Sequence, residues 1–146
     1  MTGKKVLLID DNETTINTYS RLLRDEGFWV ATAKSGLRAL EEFCHYSFDL
    51  VITDLTMNDG KGFTVLGVIK SLSPHIPVIA FTNERFETNR KLVSLLGTYS
   101  LIEKPSRNEI ITCSTCLLNT KIHTQIQCNT RRGCQNLINC SYRHVI

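Results

Sequence analysis

The chain has 146 residues, 42% of them hydrophobic and 21% charged, the size and balance of one globular domain able to bury a working core. No apolar run approaches the roughly 20 residues of a membrane span, and the opening MTGKKVLLIDDN has too short an apolar stretch for a secretory signal, so the expectation is a cytoplasmic protein with no membrane partner. The net charge of +3 is uneven: residues 1–104 carry 12 basic and 13 acidic side chains, whereas 105–146 carry 5 and 1. That asymmetry raises a nucleic-acid partner for the tail, but the five bases are scattered and read more simply as solvated surface.

The first element is the apolar run KVLLI (5–9), ending at Asp10-Asp11. It has the pattern of a strand buried on both faces that opens into a polar mouth. Asn12 or Glu13 can start a helix through Ile16, Tyr19, Leu22 and Leu23, and Gly27 can end it. FWVATA (28–33) is rich in strand formers, and Ser35 precedes a second helical pattern through Leu37, Leu40, Phe43 and Cys44. FDLVITD (48–54) again ends in an aspartate. After a glycine-containing loop, helical spacing resumes at Phe63, Leu66, Ile69 and Leu72, and Pro74 stops it. PVIAFT (77–82) predicts a fourth strand, residues 83–96 a fourth helix capped by Gly97, and YSLIEK (99–104) a fifth strand. A fifth helix should open at Pro105 and Ser106 and carry Ile110, Ile111 and Leu117.

Strand and helix signals that alternate in this way predict an α/β fold: a doubly wound, five-stranded parallel sheet with helices on both faces and an extra helical C-terminal tail. In open sheets of this kind, function gathers at the carboxyl ends of the strands. The residues there are Asp10, Asp11, Asp54, Thr82 and Lys104. Singly, an aspartate after a strand is usually a turn former or a helix cap. Together, three carboxylates at one sheet edge repel unless a cation sits among them, and an oxygen-only donor set suits Mg2+. A hydroxyl at Thr82 and an ammonium at Lys104 add nothing to a simple metal site. Both suit phosphoryl transfer, in which charge spreads over the equatorial oxygens and must be met by donors and cations. Asp54 would be the nucleophile.

The segments LLIDDN (7–12), DLVITDLTM (49–57) followed by Gly62, VIAFT (78–82) and EKP (103–105) resemble the flavodoxin-like receiver domain of two-component response regulators. The resemblance implies that Asp54 is the phosphoacceptor, that Asp11 and Asp54 bind magnesium directly and Asp10 through water, and that the Thr56 backbone carbonyl supplies a further ligand. It implies that Thr82 senses the phosphoryl group, that Lys104 pairs with Asp54 and then its phosphate, and that a cis peptide joins Lys104 to Pro105. The implied donor is a sensor histidine kinase or a histidine phosphotransfer protein, and the output is an unknown downstream protein or a homodimer through the fourth helix, fifth strand and fifth helix. On this reading the chain is no enzyme beyond its own phosphorylation and dephosphorylation.

Some positions depart from the family pattern. Asn58 stands where a proline is usual, which should loosen the loop beyond the acceptor. Asn83 replaces a small residue, and Leu101 an aromatic whose rotation often reports phosphorylation; Thr56 and Glu84 fill variable positions. Residues 1–126 would form the receiver and 127–146 a Cys-rich basic extension. The residues after Pro105 are too few for a common DNA-binding output domain added to a complete receiver, so the expectation is a stand-alone regulator or a piece of a longer protein. The tail spacing C-x2-C-x11-C-x5-C-x5-C has one zinc-type knuckle and reads better as reduced thiols on helical faces. His45 and His75 fall in loop-like segments without metal-ligand neighbours. Two rival functions are an aspartate-nucleophile, magnesium-dependent phosphatase and a nucleic-acid-binding regulator acting through the tail. The phosphatase would need an acidic residue two positions after its nucleophile, where this chain has Thr56.

Overall fold

A strand of continuous apolar residues must be covered on both faces, and Val6, Leu7, Leu8 and Ile9 of β1 (Lys5–Ile9) are each no more than 1% exposed. The computed structural model describes residues 3–58, 60–82 and 100–103 and positions 110, 111, 114, 115 and 118, with the backbone alone for 82 and 100–103. β1 pairs in parallel with β2 (Trp29–Ala33) on one side and β3 (Leu50–Thr53) on the other. β4 (Val78–Thr82) and β5 (Ser100–Glu103) complete a five-stranded parallel sheet of order β2-β1-β3-β4-β5.

Alternation along the strands divides the core in two. Val6, Leu8, Leu50, Ile52, Ile79 and Phe81 face α1 (Glu13–Asp25), which contributes Ile16, Tyr19 and Leu23. Tyr19 meets Phe81 edge-on, with ring centroids 4.7 Å apart. Leu7, Ile9, Val51, Val78 and Ala80 face the opposite way, onto Ala39 of α2 (Gly36–His45) and Val65, Leu66 and Ile69 of α3 (Gly62–Leu72). The doubly wound architecture is therefore present. Ile110 and Leu118, from helical positions near the end of the described chain, join the α1 side, as the expected fifth helix requires.

Local signals start and stop the helices as expected. Asn12 caps α1 by accepting from the Thr15 N–H at 3.0 Å, and Ser35 caps α2 by accepting from the Arg38 N–H at 3.2 Å. Gly27, at φ +95°, takes the left-handed turn after α1 that a side chain would resist.

Three inward assignments need correction. The core stripe of α2 runs through Gly36, Ala39, Leu40 and Phe43, so Leu37, one residue round the helix, is 65% exposed and Cys44 is exposed. Leu72, the last residue of α3, is exposed where the helix leaves the sheet. His45 belongs to the last turn of α2 rather than a loop, with Nδ1 3.1 Å from the Glu41 carbonyl. Phe28 is core, whereas Trp29 is exposed, its ring tilted against Tyr46 with centroids 5.1 Å apart and Lys5 Nζ 5.4 Å from its ring. The expected fourth helix, Leu117, the Lys104-Pro105 peptide and residues 127–146 lie outside the described residues.

Gly62 opens α3 against the backbone of Leu55. A Cβ there would stand 2.6 Å from the Leu55 carbonyl carbon and 2.7 Å from its Cα, and backbone cannot give way as a flexible side chain can. Gly62→Ala should therefore lower unfolding stability by about 1–3 kcal/mol, the usual cost of overpacking, read as a drop in the urea midpoint at unchanged slope.

Candidate functional site

The site is built by continuing the β ladder past its last strand residues. Ile9 pairs with Thr53, and the Asp54 N–H donates to the Ile9 carbonyl at 2.9 Å while the Asp10 N–H donates to the Ala33 carbonyl at 3.0 Å. The first bond brings the ends of β1 and β3 together at the point where the strand order reverses, the crevice that open α/β sheets use for ligands, and the second ties the end of β1 to β2. Carboxylate oxygens of Asp10, Asp11 and Asp54 lie within 4.8 Å of one another. Asp10 and Asp54 are buried, at 1% and 4% exposure, and Asp11 is half-buried.

Each carboxylate accepts from a main-chain N–H. Asp10 Oδ1 takes the Asn12 N–H at 2.9 Å, Asp54 Oδ1 takes the Thr56 N–H at 2.9 Å, and Asp11 Oδ2 takes the Asn58 N–H at 2.6 Å across the two loops. The Thr56 hydroxyl adds a second donor to Asp54 Oδ1 at 3.0 Å. Charged acceptors strengthen such bonds, and α1, whose N-terminus starts two residues after Asp11, brings the positive end of its dipole to the same crevice. These donors offset only part of the repulsion, since two unit charges about 4 Å apart near a protein surface interact by roughly 4 kcal/mol. A cluster of oxygen donors, already oriented by amides, fits a hard divalent cation such as magnesium.

The structure thus brings together three of the expected site residues and sets Thr56 beside them. Thr82 ends β4, the strand next to β3, and pairs in register with Glu103 of β5. Lys104 is the residue after Glu103 and lies outside the described residues, as do Asn83 and Glu84. The sequence reading missed the amide donors and the Thr56 hydroxyl. An aspartate followed two residues later by threonine is a recognisable side-chain-to-backbone turn pattern and signalled the Thr56 contact. The Asn58 donor carried only the weak signal that a residue other than proline keeps its N–H. Where a looser loop is expected at Asn58, the structure has a tether to Asp11.

Fold and site together define a receiver-type α/β protein with an acidic crevice able to hold a cation. Residues 6–114 match the family model of the response regulator receiver domain, and the chain belongs to that family. It is 39% identical over 84 residues to the transcriptional regulatory protein ZraR of Klebsiella oxytoca, covering 56% of this chain and 19% of ZraR. The chain thus spans about a fifth of the length of that curated relative. A receiver domain protein from Clostridium thermocellum superposes with a TM-score of 0.74 at 31% identity, covering 81% of this chain and 96% of the other. The response regulator TrrA from Thermotoga maritima, crystallised in complex with Mg(2+)-BeF, gives a TM-score of 0.71 at 27% identity, covering 79% of this chain and 99% of the other. No helix among the described residues is long and apolar enough to cross a membrane.

Asp11→Asn keeps an acceptor for the Asn58 N–H and removes one of the three crowded charges. In chelator it should raise stability by about 1 kcal/mol, a fraction of the Coulomb term after solvent screening. Saturating magnesium should erase or reverse that advantage, as followed by urea unfolding in the two conditions.

Proposed function

We propose that the protein is a phosphorylation switch, in which Asp54 accepts a phosphoryl group from a phosphohistidine on a sensor histidine kinase or a histidine phosphotransfer protein. The observation that carries this reading is the carboxylate cluster, with Asp54 at the end of a central strand and beside Asp10 and Asp11. An Asp54 carboxylate oxygen attacks phosphorus, a P–O bond forms, and the P–N bond to the donor imidazole breaks. The product is an acyl phosphate, which water later hydrolyses.

Asp11 and Asp54 would hold magnesium directly, Asp10 through water, and the Thr56 carbonyl would add an oxygen. Bound there, the ion would neutralise carboxylate charge and the charge of the arriving phosphoryl group. The complex of the similar regulator TrrA with Mg(2+)-BeF supports magnesium as the cation. Thr82, at the end of β4, is proposed to bond the phosphoryl oxygens, and Lys104 to pair with Asp54 and then with its phosphate. Membership of the receiver family suggests both roles, and the place of Thr82 at the end of β4, beside β3, agrees with its part.

The chain would act by binding a downstream protein rather than by turning over substrates. Thr56 supports this over the phosphatase reading: its N–H and hydroxyl donate to Asp54, where a hydrolase would need an acid or base. We assign the receiver to residues 1–126 and an extension to 127–146. Output through the fourth helix, fifth strand and fifth helix, including self-pairing as an isologous dimer, is the reading the flanking positions of Thr82 and Lys104 favour. Nucleic-acid binding by the tail has no comparable support. Cytoplasmic location agrees with a kinase donor.

Acetyl phosphate with magnesium should add one phosphoryl group to the protein, detected by intact mass, and Asp54→Asn should lose the adduct. Undiminished phosphorylation of that variant would overturn the assignment. Thr82→Ala should accept the phosphoryl group yet bind its partner independently of it. Full phosphorylation-dependent partner binding by the Thr82 variant would move the switch to another residue.

A further inference from the structure

We infer that the main-chain amide of Asn58 is a positioning group for the cation, holding Asp11 in the acidic crevice by donating to its Oδ2. The inference rests on the proposed magnesium site. Its starting point is the exposure of Asp11: Asp10 and Asp54 are walled in, whereas Asp11 is only half-buried and its charge is repelled by both. Repulsion by two carboxylates favours turning Asp11 outward toward water, and where the family usually has a proline without a donor, this chain has an N–H that opposes the turn. The 2.6 Å bond from the Asn58 N–H supplies that restraint, joining residues 47 apart in the chain.

The donor can do this because its loop is pinned. Leu55 and Met57, on either side of Thr56, are each 4% exposed and lie in the core between the sheet and α2 and α3. Gly62 packs against the Leu55 backbone. The Gly60 N–H donates to the Met57 carbonyl at 2.9 Å and closes the turn, with Gly60 itself at φ +69°. The exposed Asn58 side chain takes no part in the bond to Asp11, whose donor is the main-chain nitrogen. A carboxylate oxygen has two lone pairs and Asp has two oxygens, so accepting one N–H leaves capacity for a cation. Hydrogen bonds to metal ligands of this kind commonly change affinity by about 10- to 100-fold.

The test compares Asn58→Pro, which deletes the N–H, with Asn58→Ala, which keeps it, in the full chain. Magnesium affinity is measured by calorimetric titration, and thermal unfolding in chelator reports whether each variant is folded. Asn58→Pro should bind magnesium at least roughly tenfold more weakly than the unaltered protein, and Asn58→Ala should bind as the unaltered protein does. Equal affinity in the proline variant overturns the inference while leaving the metal site standing, and equal weakening in both variants assigns the effect to the side chain and overturns it as well. If the unaltered protein binds no magnesium, the metal reading fails and the inference fails with it. Amide exchange supplies a readout that does not depend on the proline variant folding. The Asn58 N–H should be protected in the unaltered protein, stay protected at saturating magnesium, and lose protection in Asp11→Ala. Deprotection on adding magnesium would mean that the amide competes with the cation, and would overturn the inference.

Discussion

The hydrogen bonds between β1 and β3 are the constraint on which the site depends. Because the ladder continues one step beyond the strands, from the Asp54 N–H to the Ile9 carbonyl, two acidic segments far apart in the chain end at one place. Neither segment has an isolated reason to seek the other, since their charges repel. Burial of the strands supplies the driving force: β1 and β3 are apolar on both faces and reach low energy only inside a covered parallel sheet. The core thus imposes an electrostatically unfavourable arrangement at its rim, and a cation is the natural way to relieve it.

Relief comes partly from the backbone. Amides of Asn12, Thr56 and Asn58 each meet one carboxylate, so every carboxylate of the acidic crevice is held by a backbone donor. The loop after Asp54 can present its amides because alternate residues, Leu55 and Met57, are anchored in the core. Rigid elements position functional loops in this way throughout α/β proteins. Gly62 belongs to the same device, since the start of α3 must approach the Leu55 backbone more closely than any side chain allows.

The other end of the sheet has a different character. Trp29, Tyr46 and Phe48 gather there with Lys5 above the rings, and the Lys5 N–H donates to Asp49. Amphipathic rings and a lysine stem cover the amino ends of β1 and β2 while keeping polar groups at the surface. The two ends of the sheet therefore divide the work: aromatic packing closes one, and the acidic crevice occupies the other.

Strand positions, helix starts at Asn12 and Ser35 and the acidic strand ends were legible in the sequence, because each depends on local periodicity, capping chemistry or a run of apolar residues. Recognition of the site also came from order along the chain, since Asp10-Asp11, Asp54, Thr82 and Lys104 each follow a strand signal. The inward face of α2 was legible only in part: Leu40 and Phe43 pack inward as expected, but Leu37 and Cys44, with the polarity of core residues, are exposed and Ala39 fills the core instead. Nor could the sequence reveal that the Asn58 amide reaches Asp11, for a main-chain N–H is common to every residue except proline and carries no side-chain signature. Local chemistry thus determined the elements and the acidic residues at their ends, whereas tertiary packing decided which amides meet which charges, because that depends on the distance between loops that only the folded sheet brings together.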